Sequence, residues 1–191
     1  MNRTRAFLLL AASTTLISGC QSAPRMTGEA DTMAFGGPSS TDYAQRLWEQ
    51  MVEHQLAGAH AIYSVPYKGT HPHGAILDTI DTTLEVGGHR GEIIVKRNYG
   101  GPGVSKQAVA DDPQRWLKAI TVMYRREAGY DPQDKDWFWV KYAPDGGVLS
   151  NPKGMKLAGR VAKGMAQGCI ACHTGAPGGD LVFNSDRFGY R

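Results

Sequence analysis

Residues 75–99 read AILDTIDTTLEVGGHRGEIIVKRNY. Two alternating runs flank a glycine pair. In residues 75–84, Ile76, Asp78, Ile80, Thr82 and Leu84 fall on one face, with Leu77 and Thr79 on the other. In residues 92–99, Glu92, Ile94 and Lys96 share a face. A period of two marks half-buried strands, and a glycine pair between two such runs is what a hairpin requires.

Further strands are expected on either side of this hairpin: residues 61–67 (AIYSVPY), 119–125 (AITVMYR) and 137–142 (WFWVKY). Glycine pairs, Asp-Pro and Asp-Gly-Gly separate them, and no helical crossover intervenes, so the sheet is expected to be antiparallel. Upstream, residues 41–56 carry Tyr43, Leu47, Trp48, Met51, Val52 and Leu56 at three- and four-residue spacings. That is one face of a helix, with Thr41 as N-cap and Gly58 as its stop. Residues 155–167 read as a glycine-interrupted helix, 175–180 as a turn and 181–184 as a short extended return. The expected class is α+β: an antiparallel sheet of about five strands with a helix before it and a helix at the C-terminal motif described below.

The chain has 191 residues, Lys+Arg 21 against Asp+Glu 18, and 24 glycines with 10 prolines. The near balance of charge, with no basic block, excludes a nucleic-acid grip. The glycine and proline content argues against a helical bundle. No apolar run reaches the ~18 residues of a spanning helix.

Residues 1–19 have the form of an export signal: Arg3 and Arg5, then an apolar stretch from Ala6 to Ser18. It ends Ile17-Ser18-Gly19-Cys20, which resembles a bacterial lipobox with Cys20 as the lipidated residue. Gln21 follows, and by the same resemblance the absence of Asp there implies the outer membrane, facing the periplasm. Residues 20–40 are rich in Gly, Ser, Pro and Ala and read as a flexible tether. Residues 41–191 form the expected folded domain.

Cys169-Ile170-Ala171-Cys172-His173 is the spacing of a c-type haem attachment site. Two thiols add to the two vinyl groups, and the next residue, His173, becomes the proximal iron ligand. A thioredoxin-like pair would want a βαβ setting. A zinc site would need further ligands, with His71 and His73 available, but no histidine directly after the second cysteine. A disulfide is open to an exported chain. Haem c, one per chain and covalent, accounts for the most: Cys20 takes lipid, Cys169 and Cys172 take haem, and no cysteine is left over.

The motif lies at the C-terminal end of a mostly β-sequence, unlike small all-helical cytochromes. The chain resembles the cytochrome P-460 and cytochrome c′-beta family over roughly residues 41–185. The resemblance is carried by Thr70-His71-Pro72-His73-Gly74, residues 93–99 (IIVKRNY), Thr121-Val122-Met123-Tyr124, Gly129-Tyr130-Asp131-Pro132, residues 136–142 (DWFWVKY) and the haem motif. It implies an antiparallel sheet, one high-spin five-coordinate haem c, and either hydroxylamine oxidation or nitric-oxide binding. In the enzymes a lysine is linked to the porphyrin edge, and Lys96 sits in the matching strand; Lys106 and Lys141 are weaker alternatives. A periplasmic redox partner and a membrane held through lipid are the implied partners, and a homodimer stays open.

Other residues have two readings. His71 and His73 are a distal acid/base or sixth ligand, or belong to a turn at the sheet's rim, the reading preferred at this level. Met123 and Met165 are axial ligands in an electron-transfer cytochrome, or core and linker. Trp137 and Trp139 share a strand face and pack on the porphyrin, or on the core. The expectation is an iron held by His173 alone, open to hydroxylamine or nitric oxide. The alternatives are a nitric-oxide-binding cytochrome without turnover and a six-coordinate electron carrier.

Replacing Cys20 with Ser is expected to move the protein from the membrane to the soluble envelope fraction, or to leave it unprocessed. Fractionation unchanged by the substitution would reject the lipobox.

Overall fold

The computed structural model describes residues 33–183; the signal segment, Cys20 and most of the tether lie outside them. In chain order the elements are α1 (Pro38–Glu53), β1 (Tyr67–Lys68), β2 (Ile76–Val86), β3 (His89–Tyr99), α2 (Lys106–Asp111), α3 (Pro113–Trp116), β4 (Leu117–Arg125), a 3-10 turn (Pro132–Asp134), β5 (Trp137–Tyr142), β6 (Ala158–Gly159) and α4 (Cys169–His173). The strands form one antiparallel sheet in sequence order. The class is α+β, and no described helix is long and apolar enough to cross a membrane.

The hairpin joining β2 to β3 turns on Gly87 and Gly88, whose φ values of 61° and 82° are the left-handed pair that a two-residue hairpin turn demands. Register then follows from the alternation. Leu84, Val86, Ile93, Val95, Ile120, Val122, Tyr124, Phe138, Val140 and Tyr142 form one buried cluster with Tyr43, Ala44, Leu47 and Met51 of α1. Each large apolar side chain buried there contributes about 1.5–3 kcal/mol. Tyr142 fastens the layers by donating its hydroxyl to Ala44 O at 2.6 Å.

Helix α1 begins three residues before the expected Thr41, because Pro38 with its preset φ occupies the first turn after Gly37. Thr41 Oγ1 donates back to Gly37 O and Pro38 O instead of capping. The chain leaves the helix at His54–Gln55, with Gln55 at φ 58°, ahead of Gly58.

Two expected elements are absent. Residues 61–66 are not a strand; only Tyr67 and Lys68 pair, with Leu77 and Ile76. The backbone of Ile62 is engaged elsewhere: its carbonyl accepts from Arg97 Nη2 at 2.8 Å, as does that of Leu56 at 2.7 Å, and its N–H donates to Gln55 O at 2.8 Å. Residues 155–167 are not a helix. Gly159 and Gly164 stand at φ 112° and 71°, and Ala162 at 62°, a backbone that no right-handed helix contains. Leu181, also at positive φ, bends the expected extended return.

Arg97 and Asp78 are cross-strand partners. Both are 1% exposed, and Arg97 Nη1 meets Asp78 Oδ1 at 2.7 Å. Tyr99 donates its hydroxyl to the other carboxylate oxygen, and the guanidinium lies 4.9 Å from the Tyr63 ring centre. Removing one member strands a buried charge, so Arg97→Met is expected to cost about 3–5 kcal/mol in urea unfolding. The double variant Arg97→Met, Asp78→Leu is expected to lose less than the two single losses combined. Strict additivity would show that the pair is not what satisfies Asp78.

Candidate functional site

The sheet's other face carries two cross-strand rows. Thr79, Lys96, Thr121 and Lys141 are successive register partners across β2 to β5, and Ile94, Met123 and Trp139 are partners across β3 to β5. These residues form one wall of a cavity of about 560 Å³. The opposite wall is Leu157, Val161, the 166–169 stretch, Ala171, Cys172, His173, Val182 and Phe183, with His71, Pro72 and His73 closing one side. No carboxylate is among the described residues that line it. A second apolar cluster, including Phe35, Trp137, Ile170 and Leu181, packs around it.

The motif enters this wall on the one-turn helix α4. Gly168, just before it, has φ 130°, and a Cβ there would lie 2.2 Å from Ala162 Cβ. Cys169 and Cys172 are free thiols, half-buried and exposed respectively. Burial raises the Cys169 thiol above its ordinary pKa, against the Lys141 ammonium, which lowers it.

His173 is buried. Its Nδ1 lies 2.6 Å from Leu181 O, and since a carbonyl only accepts, Nδ1 carries the proton. In this tautomer the ring's lone pair is on Nε2. Trp139 and Phe183 box the ring at centroid distances of 4.8 and 5.3 Å.

Leu181 is held in place by a hook that sequence reading missed. Arg125 Nη2 pairs with Asp180 at 2.9 Å, Trp137 Nε1 donates to Asp180 O at 3.0 Å, and the Arg125 guanidinium stacks 4.1 Å over Trp137. Trp137 is therefore not on the cavity wall; it fixes the strap that orients His173. Trp139 is on the wall, 3% exposed, and its indole N–H is buried without a hydrogen-bond partner.

Lys96 lies in the cavity wall at 8% exposure. Lys141 lines the cavity too; Lys106, on α2, does not. Met123 lines it, whereas Met165 is 47% exposed and off the wall.

His71 and His73 sit in a turn beside the sheet, with His73 N donating to Thr70 O, but the two rings part company. His71 is exposed. His73 turns inward, its ring centre 6.3 Å from that of His173 with planes crossed at 80°. Its Nδ1 is 3.0 Å from Asn98 Oδ1. Burial first, and then the Lys96 ammonium, lower its pKa to about 4, so the imidazole is neutral at pH 7. Asn98 is the second residue that the sequence did not single out. Its alternation with Lys96 and Ile94 was the available signal.

No protein-family model, curated protein or solved structure matches this chain. Among the described residues no group of three or more His, Cys, Asp or Glu gathers as a metal site, so His71 and His73 do not complete a zinc set with the cysteines.

Gly168→Ala is expected to destabilise the protein by about 1–3 kcal/mol in urea unfolding, through positive φ and the clash with Ala162. Gly178→Ala serves as the control, since its Cβ would meet open space and only the backbone strain remains. Equal effects from the two would show that the approach to Ala162 does not position the motif.

Proposed function

We propose that the cavity holds one haem c, bound through Cys169, Cys172 and His173, and that the chain is a tethered haem oxidoreductase of the cytochrome P-460 and c′-beta kind. The residues present suit that group. A large cavity has an apolar row for a flat ring. An ammonium group and an orphaned indole N–H, on Lys141 and Trp139, suit the carboxylates that haem carries. Each thiol would add its S–H across a vinyl double bond, a step that needs no oxidant.

The observation that carries the functional reading is Lys96. Its side chain is buried in the wall of the same cavity as the motif, where the resemblance expects the lysine of the hydroxylamine-oxidising members. When bound, the haem supplies an iron that takes nitrogenous ligands and passes electrons. The protein's part is to shut out bulk water with Ile94, Met123, Trp139 and Phe183 and to hold the ligating imidazole in one tautomer. In hydroxylamine oxidation every hydrogen lost from the substrate leaves as a proton plus an electron, so a periplasmic redox partner must accept the electrons. The lipid on Cys20 and the tether keep the domain at the bilayer, with the outer membrane the proposed address. The second reading, a six-coordinate electron carrier, is favoured by the inward turn of His73.

The test uses purified full-length protein. Hydroxylamine is expected to reduce an added one-electron acceptor, and Cys169→Ser with Cys172→Ser is expected to abolish both covalent haem and that activity. The Lys96 link replaces one N–H and one porphyrin C–H by an N–C bond and releases two protons and two electrons, so hydrogen peroxide is supplied as the two-electron oxidant; after that treatment and proteolysis, the peptide bearing Lys96 is expected to remain joined through porphyrin to the peptide bearing Cys169 and Cys172. Loaded protein without turnover, with Lys96 recovered as a plain peptide, would leave nitric-oxide binding or electron transfer in its place.

A further inference from the structure

The two imidazoles that border the cavity are held by the same device. Asn98 is 5% exposed, and its Nδ2 donates to Lys96 O, Ala119 O and Thr121 Oγ1 at 2.9, 3.3 and 3.2 Å. Those acceptors orient the amide, which leaves Oδ1 pointing at the 69–75 turn. There it accepts from Gly74 N at 3.2 Å and faces His73 Nδ1 at 3.0 Å. An amide oxygen only accepts, so the His73 proton is on Nδ1 and the lone pair on Nε2. His173 has the same tautomer, imposed by Leu181 O.

The spacing of the two rings fits a shared metal. Two imidazoles bound to one metal through nitrogens about 2 Å away have ring centres roughly 6 Å apart. The observed separation is 6.3 Å, with the planes crossed at 80°, which two rings on one axis can adopt. A proton-shuttling histidine would instead stand farther off, leaving room for a substrate between itself and the iron.

On the haem c reading above, we infer that His73 is the second axial ligand of the iron, positioned by Asn98. The resting protein is then six-coordinate, and a small nitrogenous ligand enters by displacing His73. This revises the expectation of an iron held by His173 alone. Displacement falls on a turn in which His71 and Pro72 are already exposed, and the hydrogen bonds that Asn98 Oδ1 accepts from that turn are what it breaks.

The test is spectroscopic and uses the loaded full-length protein. The ferric wild type is expected to be low-spin in absorption and electron paramagnetic resonance. His73→Ala is expected to be high-spin, to return to low-spin on adding imidazole, and to bind nitric oxide faster once reduced. In the wild type the nitric-oxide rate is expected to level off with concentration, because loss of His73 becomes limiting. A high-spin wild type overturns the inference and leaves the haem reading intact. A low-spin His73→Ala protein also overturns it and points to another ligand from the wall, Lys96 or Met123. Absence of covalent haem overturns the haem reading and the inference together. If His73→Ala does not accumulate in folded form, ¹⁵N-histidine labelling of the wild type decides: two histidine side chains with iron-shifted resonances support the inference, and one overturns it.

Discussion

The alternation of β3 is the constraint on which the rest of the molecule depends. Ile93, Val95 and Arg97 face the helix side, while Ile94, Lys96 and Asn98 face the cavity. With β2 and β4 paired on either side, the strand has no slack. A slip of one residue would exchange every side chain between the two faces. It would put an ammonium and an amide into the apolar core, and valine and isoleucine where the turn and the cavity need polar groups. The buried Arg97–Asp78 pair pins the same register. Its desolvation is offset only if the guanidinium meets Asp78, Leu56 O and Ile62 O at once.

From that register, both ends of the site are set by hydrogen-bond acceptors that belong to the sheet or are tied to it. On one side Asn98 orients His73. On the other the sequence of contacts is longer: Arg125 at the end of β4 and Trp137 at the start of β5 hold Asp180, and the next residue's carbonyl orients His173. The motif itself is five residues on a single helical turn, too short to define a position unaided. Gly168 lets it approach Ala162, and the strap from Asp180 to Phe183 closes over it. A residue such as Trp137 therefore serves the site without touching the cavity.

The parts of this design that were legible in the sequence are those with a period. Strands β2 to β5 stand where alternation and glycine pairs place them, and the Cys-x-x-Cys-His spacing is plain in the sequence. What was not legible depends on partners distant in sequence. Residues 61–66 alternate like a strand, but the Ile62 carbonyl serves Arg97, 35 residues away. Residues 155–167 have a passable apolar pattern, overruled by glycines and one alanine at positive φ. Trp137 and Trp139 share a face, yet one is capped by Arg125 and the other lines the cavity. Strand parity cannot separate them. His71 and His73 are two residues apart and read alike, and only the amide of Asn98 tells one ring to turn in.

Histidine in a turn is ordinarily a mobile, solvated side chain, and fixing one costs side-chain entropy. His73 is fixed by an amide whose Nδ2 makes all three of its contacts within the sheet, so its ring inherits the rigidity of β3 and β4. Lys96 is two residues from Asn98 on the same strand face, and its carbonyl is one of the three acceptors that orient the amide. The lysine that the resemblance places at the porphyrin edge and the histidine that faces His173 thus share one support. Moving the backbone at Lys96 would move the carbonyl that holds Asn98, and with it His73. Lys96 in the cavity wall and the His73 ring are consequently one mechanical unit, and His71, outside that unit, is exposed.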